Sequence, residues 1–126
     1  MKIERFEDLI VWQEARKLTN MTYNTTDLFA FDKDIDLKRH LRRTSVSIMA
    51  NIAEGFGKYS AKDSKKFYID SRGSITELQS HLYVVLDRKY ITKESFDAIY
   101  NQAVQVNKLV NGLINSSLRL MNLSNS

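Results

Sequence analysis

The sequence predicts an all-α protein, an antiparallel up-down-up-down four-helix bundle formed by one domain spanning residues 1–126. Three observations predict it. The chain has no proline and only four glycines, whereas loop-rich and strand-rich folds use both residues in turns. Apolar residues recur at helical spacing, most clearly in Phe96, Ile99, Ala103, Val106, Val110 and Leu113. Their steps of 3, 4, 3, 4 and 3 form an a/d seam of more than two heptads. The links between periodic segments are short, which forces consecutive long helices to run antiparallel.

The first helix is expected over about 7–29, with Val11, Ala15, Leu18, Thr22 and Phe29 on one side and Glu7 and Asp8 in an acidic first turn. The second, about 36–56, carries Leu37, Leu41, Ile48 and Ile52, and Gly55 and Gly57 supply backbone freedom at its exit. The third, about 60–88, opens on Ser60-Ala61-Lys62-Asp63, a capping box with Asp in place of Glu. Phe67, Ser71, Ser74, Leu78, Leu82 and Val85 follow at helical spacing. The fourth, about 92–120, has Thr92 as N-cap and Glu94 near the positive end of its dipole. Residues after Leu120 are expected to fray.

Composition excludes several classes of protein. With 43% hydrophobic and 27% charged residues, the chain is globular rather than disordered. Having no cysteine, it has no disulfide, thiolate nucleophile or Cys-ligated zinc. No run approaches the roughly 20 apolar residues of a membrane span, and the start, Met1-Lys2-Ile3-Glu4-Arg5, is charged rather than signal-like. The expected location is the cytoplasm.

The net charge of +4 is unevenly spread. Residues 38–72 hold nine basic and three acidic side chains, whereas residues 1–37 hold five basic and eight acidic ones. Lys38 and Arg42 share a helix face, as do Arg39 and Arg43, and Lys58, Lys62, Lys65 and Lys66 surround the next turn. One reading is a solvated face paired with acids of the first helix such as Glu14 or Asp27. The other is a surface that contacts nucleic-acid phosphates without reading sequence. Tyr59 and Tyr68 lie near the lysines and suit either base stacking or core packing. The last helix shows the opposite: from Ala98 onward its only charged residues are Lys108 and Arg119, beside a second apolar line of Leu109, Ile114, Leu118 and Met121. That pattern predicts contact with another subunit.

Catalysis is not expected, and neither is a cofactor. The two histidines, His40 and His81, do not form the Glu-x-x-His motifs of di-iron bundles, and Glu77 and His81 read as a surface i,i+4 pair rather than a metal site. A metal-dependent enzyme using Glu54, Glu77 and His81 is the rival to that reading. The serines lack a His/Asp partner, and Gly55-Phe56-Gly57-Lys58 is too short for a phosphate loop. Asn51, Glu54 and Glu77 are expected to form a polar cluster that fixes helix register, with Arg43 or Arg72 as counter-ion.

Four stretches, FEDLIVWQEA (6–15), LRRTSVSI (41–48), NIAEG (51–55) and GSITEL (73–78), resemble the bacterial four helix bundle family. That family includes proteins encoded in intervening sequences of 23S ribosomal RNA genes and has as relatives the accessory variability proteins of diversity-generating retroelements. The resemblance covers about Phe6 to Leu113, and Arg42, Arg43, Asn51, Glu54, Gly55, Gly73, Ser74 and Glu77 fall on the family pattern. Asp32 stands where the family often has proline, and Arg72 where it has a small or apolar residue. The resemblance implies a ring-shaped homopentamer and, for the retroelement relatives, a basic nucleic-acid-binding surface and a reverse-transcriptase partner. The expected function is thus a non-enzymatic oligomeric bundle that binds RNA or DNA backbone. The alternative is a protein-interaction or scaffold module without nucleic-acid binding.

Overall fold

The computed structural model describes residues 2–124. It contains α1 (Ile10–Thr26), α2 (Ile35–Phe56), α3 (Ala61–Asp87) and α4 (Lys93–Ser124), with 3-10 turns at Phe6–Asp8 and Phe29–Lys33. Among the described residues there is no strand.

Side-chain contacts set the direction of each helix. Thr19 donates to Ser45 O and Arg42 to Thr26, so α1 and α2 are antiparallel. Contacts of Ser47 with Ser74 and of His40 with Glu77 set α2 against α3 the same way. Arg72 reaches Asn111 and Tyr83 meets Phe96 between α3 and α4, and Gln102 bonds Glu14 O from α4 to α1. The core is the shared interior of the four helices, with Leu18, Leu41, Ile48, Ile52, Ile75, Leu78, Leu82, Ile99 and Val106 essentially inaccessible.

The first helix is shorter than its apolar pattern predicts. Leu9 is extended, so Phe6–Asp8 forms a separate turn with Phe6 edge-on to Trp12 at 5.0 Å, and Glu7 and Asp8 fall outside the first turn of α1. At the other end, α1 stops at Thr26 and Leu28 turns extended. The 3-10 turn that follows buries Phe31 completely and leaves Phe29 87% exposed. Phe29 had the right spacing only for an unbroken helix. Breaking the chain places Phe31 against Tyr90, with ring centroids 5.2 Å apart.

Three N-caps are made by side chains. Asp34 accepts from Leu37 N–H at 3.4 Å, and Ser60 from Asp63 N–H and Thr92 from Ser95 N–H at 3.1 Å each. In α4 the predicted seam is buried from Phe96 to Val110, but the next positions inward are Ile114 and Ser117, and Leu113 is only partly covered. A straight helix repeats every 3.6 residues, so a strict heptad drifts off its face. Ile114 therefore belongs to the core, not to an outer apolar line. The helix also runs through 121–124, past the predicted fraying point, while residues 125–126, for which fraying was also expected, lie outside the described residues.

The glycines act differently from their predicted role. Gly55 and Gly57 keep negative φ. A Cβ on Gly55 would lie 2.5 Å from the Tyr68 ring and 3.1 Å from Ser64 O, so Gly55 is there to let α3 approach α2. Among the described residues the left-handed one is Lys89 (φ 61°), which ends α3 with Tyr90 N–H donating to Val85 O and Lys89 N–H to Leu86 O. That pair of bonds is a Schellman ending.

Candidate nucleic-acid interface

The eight predicted cations divide into two that serve the fold and six that do not. Arg42 is largely buried. Its Nε donates to Thr26 Oγ1 at 2.8 Å, its Nη2 to Asp27 Oδ1 at 2.7 Å, and its guanidinium lies 4.6 Å from the Tyr23 ring centroid. These contacts gather at the C-terminus of α1, where a cation also meets the negative end of the helix dipole. Lys58 pairs with Glu54 at 3.6 Å and sits over Phe67.

The side chains of Lys38, Arg39, Arg43, Lys62, Lys65 and Lys66 have no ion-pair or hydrogen-bond partner among the described residues. Arg39 and Arg43, one turn apart, border a shallow cleft of about 600 Å³ with Tyr23, Arg42, Val46 and Ser47. The lysines cluster where α3 begins. Along α2 the two groups are about 20 Å apart, separated by the exposed, uncharged positions Val46 and Ala50. Of the two tyrosines near the lysines, Tyr68 is buried against α2, and burial holds its hydroxyl above the ordinary tyrosine range. Tyr59 is fully exposed and is the ring available for stacking.

The predicted polar cluster is not assembled. Asn51 donates to Ser47 Oγ at 3.2 Å, and Ser47 bonds Ser74 across the helices at 3.0 Å. Glu54 is exposed beside Lys58. Glu77 is also on the surface, because the inward positions of α3 are taken by Ile75 and Leu78. Its partner is neither Arg43 nor Arg72, which instead donates to Asn111 at 3.1 Å. The Glu77 carboxylate meets His40 Nε2 at 2.8 Å, and His81 Nδ1 bonds the Glu77 carbonyl oxygen at 2.7 Å. The catalytic trio of Glu54, Glu77 and His81 is therefore not formed, and His40 takes the place of Glu54. The signal for this lay in the helix register. Ser47 opposite Ser74 puts His40 opposite His81, one heptad away on each helix.

These features define a helical bundle with a cationic α2–α3 surface. The family model for the 23S rRNA-intervening sequence protein matches residues 7–112, and the chain belongs to that family. Among solved structures, it is similar to a protein of unknown function from the S23 ribosomal protein family of Bacteroides thetaiotaomicron, at 23% identity and a TM-score of 0.78, covering 83% of this chain and 98% of that one. That likeness shows the fold. No curated protein matches the chain.

Proposed function

We propose that this protein is a non-enzymatic, oligomeric bundle that holds RNA or DNA by its phosphate backbone. The observation that carries the reading is the set of six basic side chains on α2 and α3 that no acidic group among the described residues engages. Cations not consumed by the fold are free to displace counterions from a polyanion, which is the source of sequence-independent affinity. Arg39 and Arg43 act as forks on phosphate oxygens and the lysines as point charges, with Tyr59 beside them as a stacking surface.

Oligomerisation is part of the proposal. The outer side of α4 remains poor in charge, and Leu118, Leu120 and Leu123 are 40%, 56% and 69% exposed. As a pentamer, the assembly implied by the family resemblance, the particle carries about +20 and weighs about 73 kDa, five times the +4 and 14.6 kDa of one chain. Light scattering reads that mass directly. Binding of labelled single-stranded RNA and duplex DNA at two salt concentrations tests the phosphate contacts. A chain that assembles but binds neither is a scaffold or protein-interaction module.

A further inference from the structure

We propose that His40, Glu77 and His81 form a binding site for a divalent transition-metal ion of the zinc type, adjoining the arginine end of the phosphate-binding surface. Each of the three residues offers one ligand atom, and these atoms all lie within 4.8 Å of one another. Two imidazoles and one carboxylate are a donor set that zinc and its neighbours take with a coordination position left open. With metal–ligand bonds of about 2.0–2.1 Å, ligand atoms in a tetrahedral site sit roughly 3.4 Å apart. His40 Nε2 and Glu77 Oε1 lie 2.8 Å apart and no two of the three ligand atoms are more than 4.8 Å apart, so small rotations about the side-chain bonds bring the three onto one ion.

The surroundings favour coordination. His81 Nδ1 hydrogen-bonds the Glu77 carbonyl oxygen at 2.7 Å. A carbonyl only accepts, so the Nδ1 carries the proton and the Nε2 lone pair is left for a metal. His40 ligates through Nε2 once its own proton resides on Nδ1, its hydrogen bond to Glu77 being exchanged for coordination. All three residues stand on helices held in register by the Ser47–Ser74 hydrogen bond. The site opens on a cleft of about 430 Å³ lined by Asp36, Leu37, Arg39, His40, Arg43 and His81, which gives an ion a way in. Arg39 and Arg43 are the groups that oppose a cation there. Both are exposed and unpaired, so their heads can turn to solvent, and Asp36 on the same rim offsets part of their charge.

The test is calorimetric titration of Zn²⁺ into the chelator-treated full chain at neutral pH, with Co²⁺ absorption as a second readout. The expected result is one ion per chain, a rise in Tm with added zinc, and loss of affinity on acidification because ligating imidazoles must be unprotonated. His40→Ala, Glu77→Gln and His81→Ala each weaken binding by about 100-fold or more while retaining the helical circular-dichroism spectrum, at the upper end of what removing a mere supporting residue costs. Wild-type protein that neither binds Zn²⁺ nor gains Tm at millimolar zinc overturns the site. Unchanged affinity in His40→Ala overturns it equally, since α2 then supplies no ligand.

Discussion

Ser47 of α2 and Ser74 of α3 share a hydrogen bond of 3.0 Å at a point where both side chains are small. Ser71, buried on the same side of α3, donates to Ile48 O at 2.8 Å, so the polar atoms in this seam are satisfied across helices. One heptad toward the N-terminus of α2, the seam closes on His40 and His81. Toward the other end it closes on Gly55 and Tyr68. The seam thus fixes both the spacing of α2 and α3 and the place of their cationic side chains.

Two glycine-to-alanine changes should have opposite signs. In Gly55→Ala the new methyl group overlaps the Tyr68 ring and crowds Ser64 O, so overpacking outweighs the helix-propensity gain of about 1 kcal/mol and the net loss is about 1–2 kcal/mol. Gly73, in mid-α3, has nothing within 4 Å of such a methyl group. Gly73→Ala should stabilise by about 0.5–1 kcal/mol. Thermal melts of the two variants measure the contrast.

Lys89 holds a left-handed conformation that costs a residue with a Cβ roughly 1–2 kcal/mol. Lys89→Gly removes most of that cost while loosening the unfolded chain, for a net gain of about 0.5–1 kcal/mol by denaturant titration. A loss of stability would show that the Lys89 side chain contributes more than its backbone strain costs.

Arginines one residue apart should behave differently. Arg42→Ala removes the bonds to Thr26 and Asp27 and the packing on Tyr23, and should cost about 1–3 kcal/mol in stability. Arg43→Ala should stay within about 0.5 kcal/mol of the parent. Its effect belongs to nucleic-acid binding, where removing one phosphate contact reduces the salt slope by about 1. Denaturant unfolding and binding measured on both variants separate the two roles.

The Tyr90 hydroxyl donates to Asp34 Oδ2 at 3.0 Å, and this bond to a carboxylate is the main reason its pKa is raised above 10.0. Because the folded value lies above the unfolded one, the linked stability is fully present below the unfolded value and is lost as pH rises through the folded one. The stability gap between wild type and Tyr90→Phe should therefore be constant near neutrality and shrink in alkaline solution. An absorbance titration should lose one late-ionising tyrosine in the variant. A gap that widens with pH contradicts the assignment.

The bundle was legible in the sequence because its helices announce themselves locally. The seam from Phe96 to Val110 and the caps Ser60 and Thr92 depend on residues within a few positions of one another. What depends on contacts between distant segments was not legible. Phe31 is buried and Phe29 exposed because Tyr90, far along the chain, supplies the packing surface. Glu77 lies outside because Ile75 and Leu78 fill the inward positions of α3. The basic cluster was visible as composition, but its division was not. Only the packing of α1 against α2 shows that Arg42 is engaged while Arg39 and Arg43, its neighbours in sequence, are unpaired. His40 was readable only by carrying the α2–α3 register along the seam.

The most direct test of the phosphate-binding surface is fluorescence anisotropy of labelled duplex DNA and single-stranded RNA titrated with the protein at about 50 and 200 mM salt. Five phosphate contacts predict a slope near −4.5 on duplex and −3.5 on single strands, hence affinity losses of roughly 500-fold and 130-fold across that range. Reversing Lys62, Lys65 and Lys66 to Glu should flatten the slope. Absence of binding to either nucleic acid at 50 mM salt would contradict the account and leave the six unpaired cations to an acidic protein partner.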